Sequence, residues 1–145
     1  MDLIFSPAMP EDIPILLDLN RQLITVWEDP AAMDLPRVLA WVERKITKFL
    51  DQYLRICLDG RTVGWFRLCP GEGEVELDDF YVLPPYRGRG IGTAALEAIL
   101  SETQSPMTLC VFTANTGAQK LYRRFGFQIT EHISHTRCLM RREVL

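Results

Sequence analysis

Apolar residues recur along this chain at two different spacings, and each spacing predicts one kind of regular structure. A period of three to four residues predicts four helices, over about 11–23, 35–50, 90–103 and 116–125. Continuous or alternating apolar runs predict seven strands, at 3–6, in two segments of 53–69 joined at Asp59-Gly60, and at 74–83, 107–112, 127–130 and 134–141. The resulting order, βααβββαβαββ, indicates one mixed α/β domain over residues 1–145.

The strand at 74–83 changes phase in its middle. Val75 and Leu77 share one face by the period of two, whereas Phe80 and Val82 fall on the alternate positions. An extra residue in a strand produces such a shift, so we predict a β-bulge at Asp78-Asp79. A bulge bends the strand away from its neighbour and leaves backbone polar groups that a ligand can use.

A glycine-rich turn follows this strand and leads directly into a helix. Gly88, Gly90 and Gly92 occupy alternate positions, where the absence of a Cβ lets successive backbone N–H groups converge. Together with the positive end of the helix dipole, these groups would form an anion cradle beside Arg87 and Arg89. The alternative is a glycine-rich turn with solvated arginines. The turn lacks the Gly-Lys-Ser/Thr ending of a P-loop.

Two motifs resemble those of one known family. The run from Arg87 to Gly92 (RGRGIG) is similar to the R/Q-x-x-G-x-G/A motif of the GNAT superfamily of N-acetyltransferases. The run from Asn115 to Phe127 resembles that family's N-x-x-A-x-x-L-Y-x-x-x-G-F segment, and the element order matches over nearly the whole chain. The resemblance implies a GNAT-like fold, with a twisted mixed sheet of six to seven strands, splayed at the fourth strand and flanked by four helices.

The resemblance also implies a binding site for acetyl-CoA as co-substrate. The pyrophosphate would be held by the backbone amides of Arg87, Gly88, Arg89, Gly90, Ile91, Gly92 and Thr93. The pantetheine arm would pair with the backbone of Phe80, Tyr81 and Val82 as if it were an added strand. Asn115 would lie beside the pantetheine, although a helix N-cap is an equally good reading of that residue.

For catalysis, the resemblance implies that Tyr122 protonates the leaving thiolate and that the Val82 N–H stabilises the oxyanion. Tyr122 also fits a purely structural role in the helix's apolar stripe. A substrate ammonium must lose a proton before it attacks, and we assign Glu76 as the base, with Asp78 and Asp79 as rivals. The acids at 72–79 could instead be a solvated stretch, or could simply attract a cationic acceptor.

Composition limits the partners and the compartment. The formal net charge of -3 disfavours a nucleic-acid partner, including an aminoacyl-tRNA acceptor. No apolar run is long enough to cross a membrane, and the N-terminus lacks the features of a signal peptide. The four cysteines and two histidines match no zinc spacing, so we expect mostly buried, reduced thiols, no metal and a cytoplasmic protein.

The sequence therefore predicts an N-acetyltransferase that moves an acetyl group from acetyl-CoA directly to a primary amine. The acceptor would be a small molecule or a protein, and we expect it to be cationic. The alternative is a non-catalytic CoA-binding sensor or interaction module on the same fold. Dimers are common among similar proteins, so the resemblance allows a homodimer, although the sequence does not fix the oligomeric state. Of the three tryptophans, only Trp27 is expected near the acceptor, while Trp41 and Trp65 are expected to serve packing.

Overall fold

The computed structural model describes residues 1–144, in which seven strands and four α-helices follow the predicted order. Their bounds are β1 Leu3–Pro7, α1 Ile13–Trp27, α2 Leu35–Lys48, β2 Tyr53–Leu58, β3 Arg61–Pro70, β4 Val75–Val82, α3 Ile91–Ser101, β5 Met107–Phe112, α4 Thr116–Arg124, β6 Gln128–His132 and β7 Arg137–Arg142. The mixed α/β fold class is confirmed. No helix within the described residues is long and apolar enough to cross a bilayer.

All strands belong to one sheet, whose order is β1-β2-β3-β4-β5-β7-β6. Neighbours are antiparallel except for β4 and β5, which are parallel. Only two residue pairs join these two strands, Val75 with Met107 and Glu76 with Thr108. Beyond Glu76 the strands diverge, and the sheet is split in its middle.

The helices cover the two faces of the sheet and bury two apolar clusters. On one face, α3 and α4 pack on the sheet around Ile91, Leu96, Leu109, Phe127 and Met140. On the other face, Leu16 of α1 and Ile46 of α2 pack against Tyr53, Trp65 and Phe112 of the sheet. The split between β4 and β5 lies between these two layers, so it is open to residues from both.

Several boundaries differ from those that the apolar pattern predicts, most of them by one or two residues, and three of the differences stand out. Helix α1 continues to Trp27, four residues beyond its predicted end, because the buried Ile24 extends its apolar face. A short 3-10 turn at Pro10–Asp12 precedes this helix. Strand β7 begins at Arg137 instead of residue 134, since residues 134–136 form the turn from β6.

Candidate active site

A cleft of about 720 Å³ occupies the split between β4 and β5. Its floor is formed by residues 77–82 of β4 and 109–112 of β5. Beyond Glu76, the side of β4 that faces β5 has no strand partner, so its backbone N–H and C=O groups are available to a ligand. The cleft is also lined by side chains from α1, α2, the turn before α3, α4 with its N-cap, and β7, which are Asn20, Leu23, Ile24, Trp27, Val38, Trp41, Val42, Lys45, Arg87, Asn115, Ala118, Tyr122 and Arg137.

The predicted bulge is present in β4, one residue beyond its predicted position. Trp65 of β3 pairs with Tyr81 and Arg67 pairs with Asp78, so Asp79 and Phe80 together oppose a single residue. Asp79 has a φ of 47°, a left-handed conformation that is uncommon outside glycine. The bulge therefore turns the second half of β4 away from β5.

The side chain of Asp79 holds this unusual backbone in place. It is only 5% exposed, and its carboxylate accepts hydrogen bonds from the hydroxyls of Tyr53 (2.5 Å) and Tyr81 (3.3 Å). Burial and the neighbouring Asp78 raise the pKa of Asp79, and Lys45 opposes that rise. Burial raises the pKa of Tyr81 as well, so both tyrosines remain hydroxyl donors at neutral pH.

Gly64, to which the sequence analysis assigned no role, supports the same bulge. A Cβ on Gly64 of β3 would overlap the carbonyl oxygen of Tyr81. Glycine inside a strand commonly marks a close approach of two backbones. That signal was present in the sequence, and the structure shows that the approach is the one between β3 and the bulged part of β4.

Two basic residues neutralise the acids at the bulge. Lys45 of α2 pairs with Asp78 at 3.0 Å and with Asp79 at 3.2 Å, and Arg67 of β3 pairs with Asp78 at 3.0 Å. Burial lowers the pKa of Lys45, but the two aspartates outweigh it and the pKa is raised overall. Lys45 is therefore cationic, and neither aspartate is a free carboxylate.

Glu76 differs from both aspartates. It lies at the apex of the split, in the last residue pair between β4 and β5, and does not itself line the cleft. Within residues 1–144 its carboxylate forms no ion pair or hydrogen bond. Burial raises the pKa of Glu76, Asp78 raises it further, and Arg67 and Lys45 oppose the rise. An unpaired carboxyl with a raised pKa is suited to accept a proton.

The turn before α3 has the geometry of an anion cradle. Gly88 and Gly90 have φ values of 77° and 80°, and Gly90 is the N-cap of α3. In the described part of the chain, the amides from Gly88 to Thr93 donate to no backbone carbonyl, and the first helical bond runs from Ala94 to Gly90. The amide of Arg87, which was also expected to bind the pyrophosphate, instead donates to the carbonyl of Pro84 at 3.2 Å. Arg87 donates from Nε to the carbonyl of Val82 at 2.9 Å, which ties the turn to β4. These free amides fit a diphosphate.

Helix α4 brings two of the predicted residues to the cleft. The Oδ1 atom of Asn115 accepts from the amide of Ala118 at 3.2 Å, so Asn115 is a helix N-cap that also lines the cleft. Tyr122 packs edge-on against Phe127, with ring centroids 5.7 Å apart. Burial raises the pKa of Tyr122 to about 12, and its hydroxyl has no hydrogen-bond partner within residues 1–144. A protonated, unpartnered hydroxyl in the cleft can donate to a ligand.

Two expectations about side-chain environment are wrong. Trp41 is 57% exposed and lines the cleft, whereas a packing role was expected. Trp65 is buried as expected. Only Cys138 is a buried thiol; Cys57 and Cys69 are half-buried, and Cys110 is exposed at the floor of the cleft. The split beside β5 is the reason that Cys110 is uncovered.

The end of α1 is fastened to the turn between β6 and β7. The Glu28 carboxylate accepts hydrogen bonds from the hydroxyl of Thr136 at 2.5 Å and from Nε of Arg137 at 3.1 Å. Next to this contact, Asp29 meets Nε2 of His135 at 3.3 Å. These contacts join residues more than 100 positions apart, and they lie next to Trp27 and Arg137, which line the cleft.

Known proteins share both the sequence pattern and the fold. Residues 16–127 match the model of the acetyltransferase (GNAT) family. The chain is 36% identical over 76 residues to an uncharacterised N-acetyltransferase of Mycobacterium bovis, a match that spans 49% of each protein. It is also 36% identical over 61 residues to the spermine/spermidine N(1)-acetyltransferase of Bacillus subtilis, covering 39% of this chain and 40% of that one. The chain thus spans about half the length, or less, of these curated relatives.

The fold agrees with that of a solved acetyltransferase. The PaiA N-acetyltransferase of Thermoplasma acidophilum, solved in complex with coenzyme A, superposes with a TM-score of 0.70 at 18% identity, over 99% of both chains. At this identity the similarity concerns the fold alone. The family match covers most of the sequence, and the fold agrees with it over nearly the whole chain. This chain therefore belongs to the GNAT family of acetyltransferases.

Proposed function

We propose that the protein transfers the acetyl group of acetyl-CoA to a primary amine by direct attack in a ternary complex. The observation that carries the proposal is the combination, in one cleft, of a split parallel strand pair with free amides at a helix N-terminus. The first feature suits an extended, amide-bearing arm, and the second suits a diphosphate. Coenzyme A has both parts.

The cradle would bind the diphosphate through the amides from Gly88 to Thr93. Arg87 is tied to Val82 through Nε, which leaves its terminal nitrogens to contact phosphate. Phe80, Tyr81 and Val82 would offer their unpaired backbone edge to the pantetheine. The thioester supplies the activated acetyl group. We place it beside the bulge, where the Val82 N–H would stabilise the oxyanion.

Tyr122 would donate a proton to the thiolate that leaves. Its raised pKa keeps the hydroxyl protonated at neutral pH, and in the described structure no other group competes for that proton. The reaction needs a proton donor only when the carbon–sulfur bond breaks, so this contact would act mainly on the turnover rate. Asn115 lines the cleft beside Tyr122 and would contact the pantetheine.

Glu76 would take the proton from the acceptor amine through a water molecule, because its own side chain does not line the cleft. Of the three acids proposed as bases, Glu76 is the one whose carboxylate is not engaged by Lys45 or Arg67. A raised pKa makes it a stronger base than an ordinary carboxylate. Asp78 and Asp79 would then serve to shape the bulge.

The test is acetyl transfer to a panel of primary amines, followed by mass spectrometry of the amine products. We expect Tyr122→Phe to lower kcat about 100-fold while the affinity for acetyl-CoA stays within twofold. We expect Glu76→Gln to lower kcat/KM by a similar factor and to remove the acid limb of the pH–rate profile. Glu74→Gln is the matched control, since Glu74 pairs with Arg141 outside the cleft.

Two results would contradict the proposal. A wild-type rate in Tyr122→Phe would remove that residue as the acid, and a wild-type profile in Glu76→Gln would remove that residue as the base. Binding of acetyl-CoA without transfer to any amine would instead support a non-catalytic CoA-binding module. The free hydroxyl of Tyr122 and the free carboxylate of Glu76 favour the enzyme over that module.

A further inference from the structure

The acceptor side of the cleft carries little free negative charge. Lys45 and Arg67 compensate Asp78 and Asp79, which leaves Glu76 as the unpaired acid at the apex. A polyamine needs several separated carboxylates, because each of its ammonium groups loses hydration when it is bound. The cleft therefore suits an acceptor with a single amino group at its reacting end.

The other end of the acceptor side carries a cation. Arg137 begins β7, lines the cleft and is 42% exposed. One edge of its guanidinium is fixed by Glu28, and its plane lies over the ring of Phe112, with Cζ 4.9 Å from the centroid. In the described part of the chain its two terminal nitrogens donate no hydrogen bond. Arg137 is thus positioned with its free edge available to an anion.

Strand register places the acid and the cation on the same face of the sheet. Glu76 pairs with Thr108, and Arg137 pairs with Phe112 on the same strand, four residues further along. Side chains two and four residues apart share a face, so Cys110 lies between the two charges. The Cys110 thiol is within electrostatic reach of both, since its pKa is raised by partial burial and then by Glu76, and is lowered by Arg137.

Apolar side chains line the cleft near Arg137, and α1 is tied to β7 at that end. The Arg137 guanidinium lies over Phe112, and Leu23 and Trp27 of α1 also line the cleft. The contacts of Glu28 with Thr136 and Arg137 join α1 to the β6–β7 turn at that end. A peptide crossing the cleft would have to separate these contacts, whereas a small molecule would not.

We propose that the acceptor is a small primary amine that also bears a carboxylate, the two groups being separated by a short apolar chain. The amine would lie toward Glu76, and the carboxylate would bind the free edge of Arg137. This inference rests on the proposed function. It separates this chain from its polyamine-acetylating relative in Bacillus subtilis, because a second ammonium group would approach Arg137 and be repelled.

The experiment compares amines that differ at the far end of the chain. Acetylation of ε-aminocaproate, hexylamine, cadaverine and spermidine is followed by mass spectrometry, and kcat/KM is measured for each. A charge-assisted hydrogen bond to a carboxylate contributes about 1.5–3 kcal/mol, so we expect ε-aminocaproate to exceed hexylamine by about tenfold or more. Cadaverine and spermidine should be poorer than hexylamine.

Variants of Arg137 test whether this residue causes the preference for ε-aminocaproate over hexylamine. In Arg137→Gln the ratio of kcat/KM for ε-aminocaproate to that for hexylamine should fall to about one, through a rise in KM, and Arg137→Lys should restore part of it. Arg141→Gln is the matched control, because Arg141 lies on the same strand and pairs with Glu74 and Glu143 outside the cleft. A partial loss of folding in Arg137→Gln would lower both rates by the same factor, so unfolding alone cannot produce the expected fall in the ratio.

The outcomes separate the two proposals. Hexylamine or spermidine used as well as ε-aminocaproate by the wild-type protein would overturn the inference and leave the proposed function standing. A preference that persists in Arg137→Gln would overturn it too. Transfer to no amine at all would overturn the proposed function, and the inference with it.

Discussion

Substitution of Gly64 by alanine probes the contact between strands on which the split cleft depends. A Cβ at this position would lie far inside the 3.0 Å that real Cβ atoms keep from other heavy atoms, and the atom it meets is the backbone oxygen of Tyr81. A backbone oxygen cannot move aside as the end of a side chain can. Strands β3 and β4 must therefore part at the bulge, or the bulge must reorganise.

The loss of unfolding free energy in Gly64→Ala can be estimated from overpacked sites in other proteins. Forcing a methyl group into a close-packed position destabilises a protein by about 1–3 kcal/mol, and a backbone clash belongs at the upper end of that range. We expect Gly64→Ala to lower the free energy of unfolding by about 2–3 kcal/mol. For a domain of this size that corresponds to a fall in Tm of about 5–10 °C. Affinity for acetyl-CoA should fall as well, since Tyr81 belongs to the proposed pantetheine-binding edge.

The assay is chemical and thermal unfolding followed by circular dichroism, together with calorimetric titration of acetyl-CoA. Gly117→Ala is the matched control, because this glycine lies in the first turn of α4 and its added Cβ would meet nothing closer than 3.9 Å. The control should be unchanged or more stable by about 0.5 kcal/mol, since alanine favours a helix. An unchanged Tm and unchanged acetyl-CoA affinity in Gly64→Ala would refute the close-approach argument.

Three further substitutions test the cradle, a buried ion pair and the bulge. Gly90→Glu should abolish acetyl-CoA binding in calorimetry. Gly73→Glu is the control and should bind acetyl-CoA normally, because Gly73 has a similar φ of 74° and open space around it but lies outside the cleft; equal affinities of the two variants would argue against the cradle. Asp12→Asn should lower the free energy of unfolding by about 3 kcal/mol at neutral pH, because Asp12 is 3% exposed and meets Arg55 at 2.7 and 2.8 Å. Burial raises the pKa of Asp12, but the hydrogen bonds from Arg55 and from the backbone outweigh it, so the folded-state pKa lies below 3.8. The loss of unfolding free energy in Asp12→Asn should therefore be complete above pH 3.8 and should disappear as the pH falls through the folded-state pKa. Urea unfolding at several pH values measures this loss, and a loss that does not change with pH would contradict the argument. Asp79→Ala should be about 2 kcal/mol less stable than Asp79→Asn, since asparagine tolerates the left-handed backbone and keeps a hydrogen-bond acceptor. Equal denaturation midpoints would show that the side chain of Asp79 does not hold the bulge in place.

Much of the fold could be predicted because its signals are local. The order of helices and strands follows from apolar spacing, and the phase change between Leu77 and Phe80 located the bulge to within one residue. The glycines at 88 and 90 indicated a tight turn leading into a helix, and the structure has that turn, with a positive φ at both glycines. In each case the information lies within a few residues of the feature, where covalent geometry and side-chain period decide the outcome.

The character of the site could be predicted only in part. Glu76, Asp78 and Asp79 were rivals in the sequence because nothing local distinguishes them. They differ in the structure because Lys45, 33 residues away from Asp78, reaches the bulge from α2. The same holds for Arg137, which had no assigned role until pairing with β5 placed it at the cleft.

The sequence by itself determined the elements, the bulge and the glycine-rich turn before α3, since these depend on backbone conformation and on residues adjacent in the chain. Only the tertiary structure decided which charges are compensated and which face the cleft. Compensation depends on distances of a few ångströms between side chains that are far apart in the chain, and packing of α1 and α2 against the sheet sets those distances. For this reason three acids of β4 that look alike in the sequence become, within residues 1–144, one unpaired carboxylate, that of Glu76, and two that are paired with basic side chains.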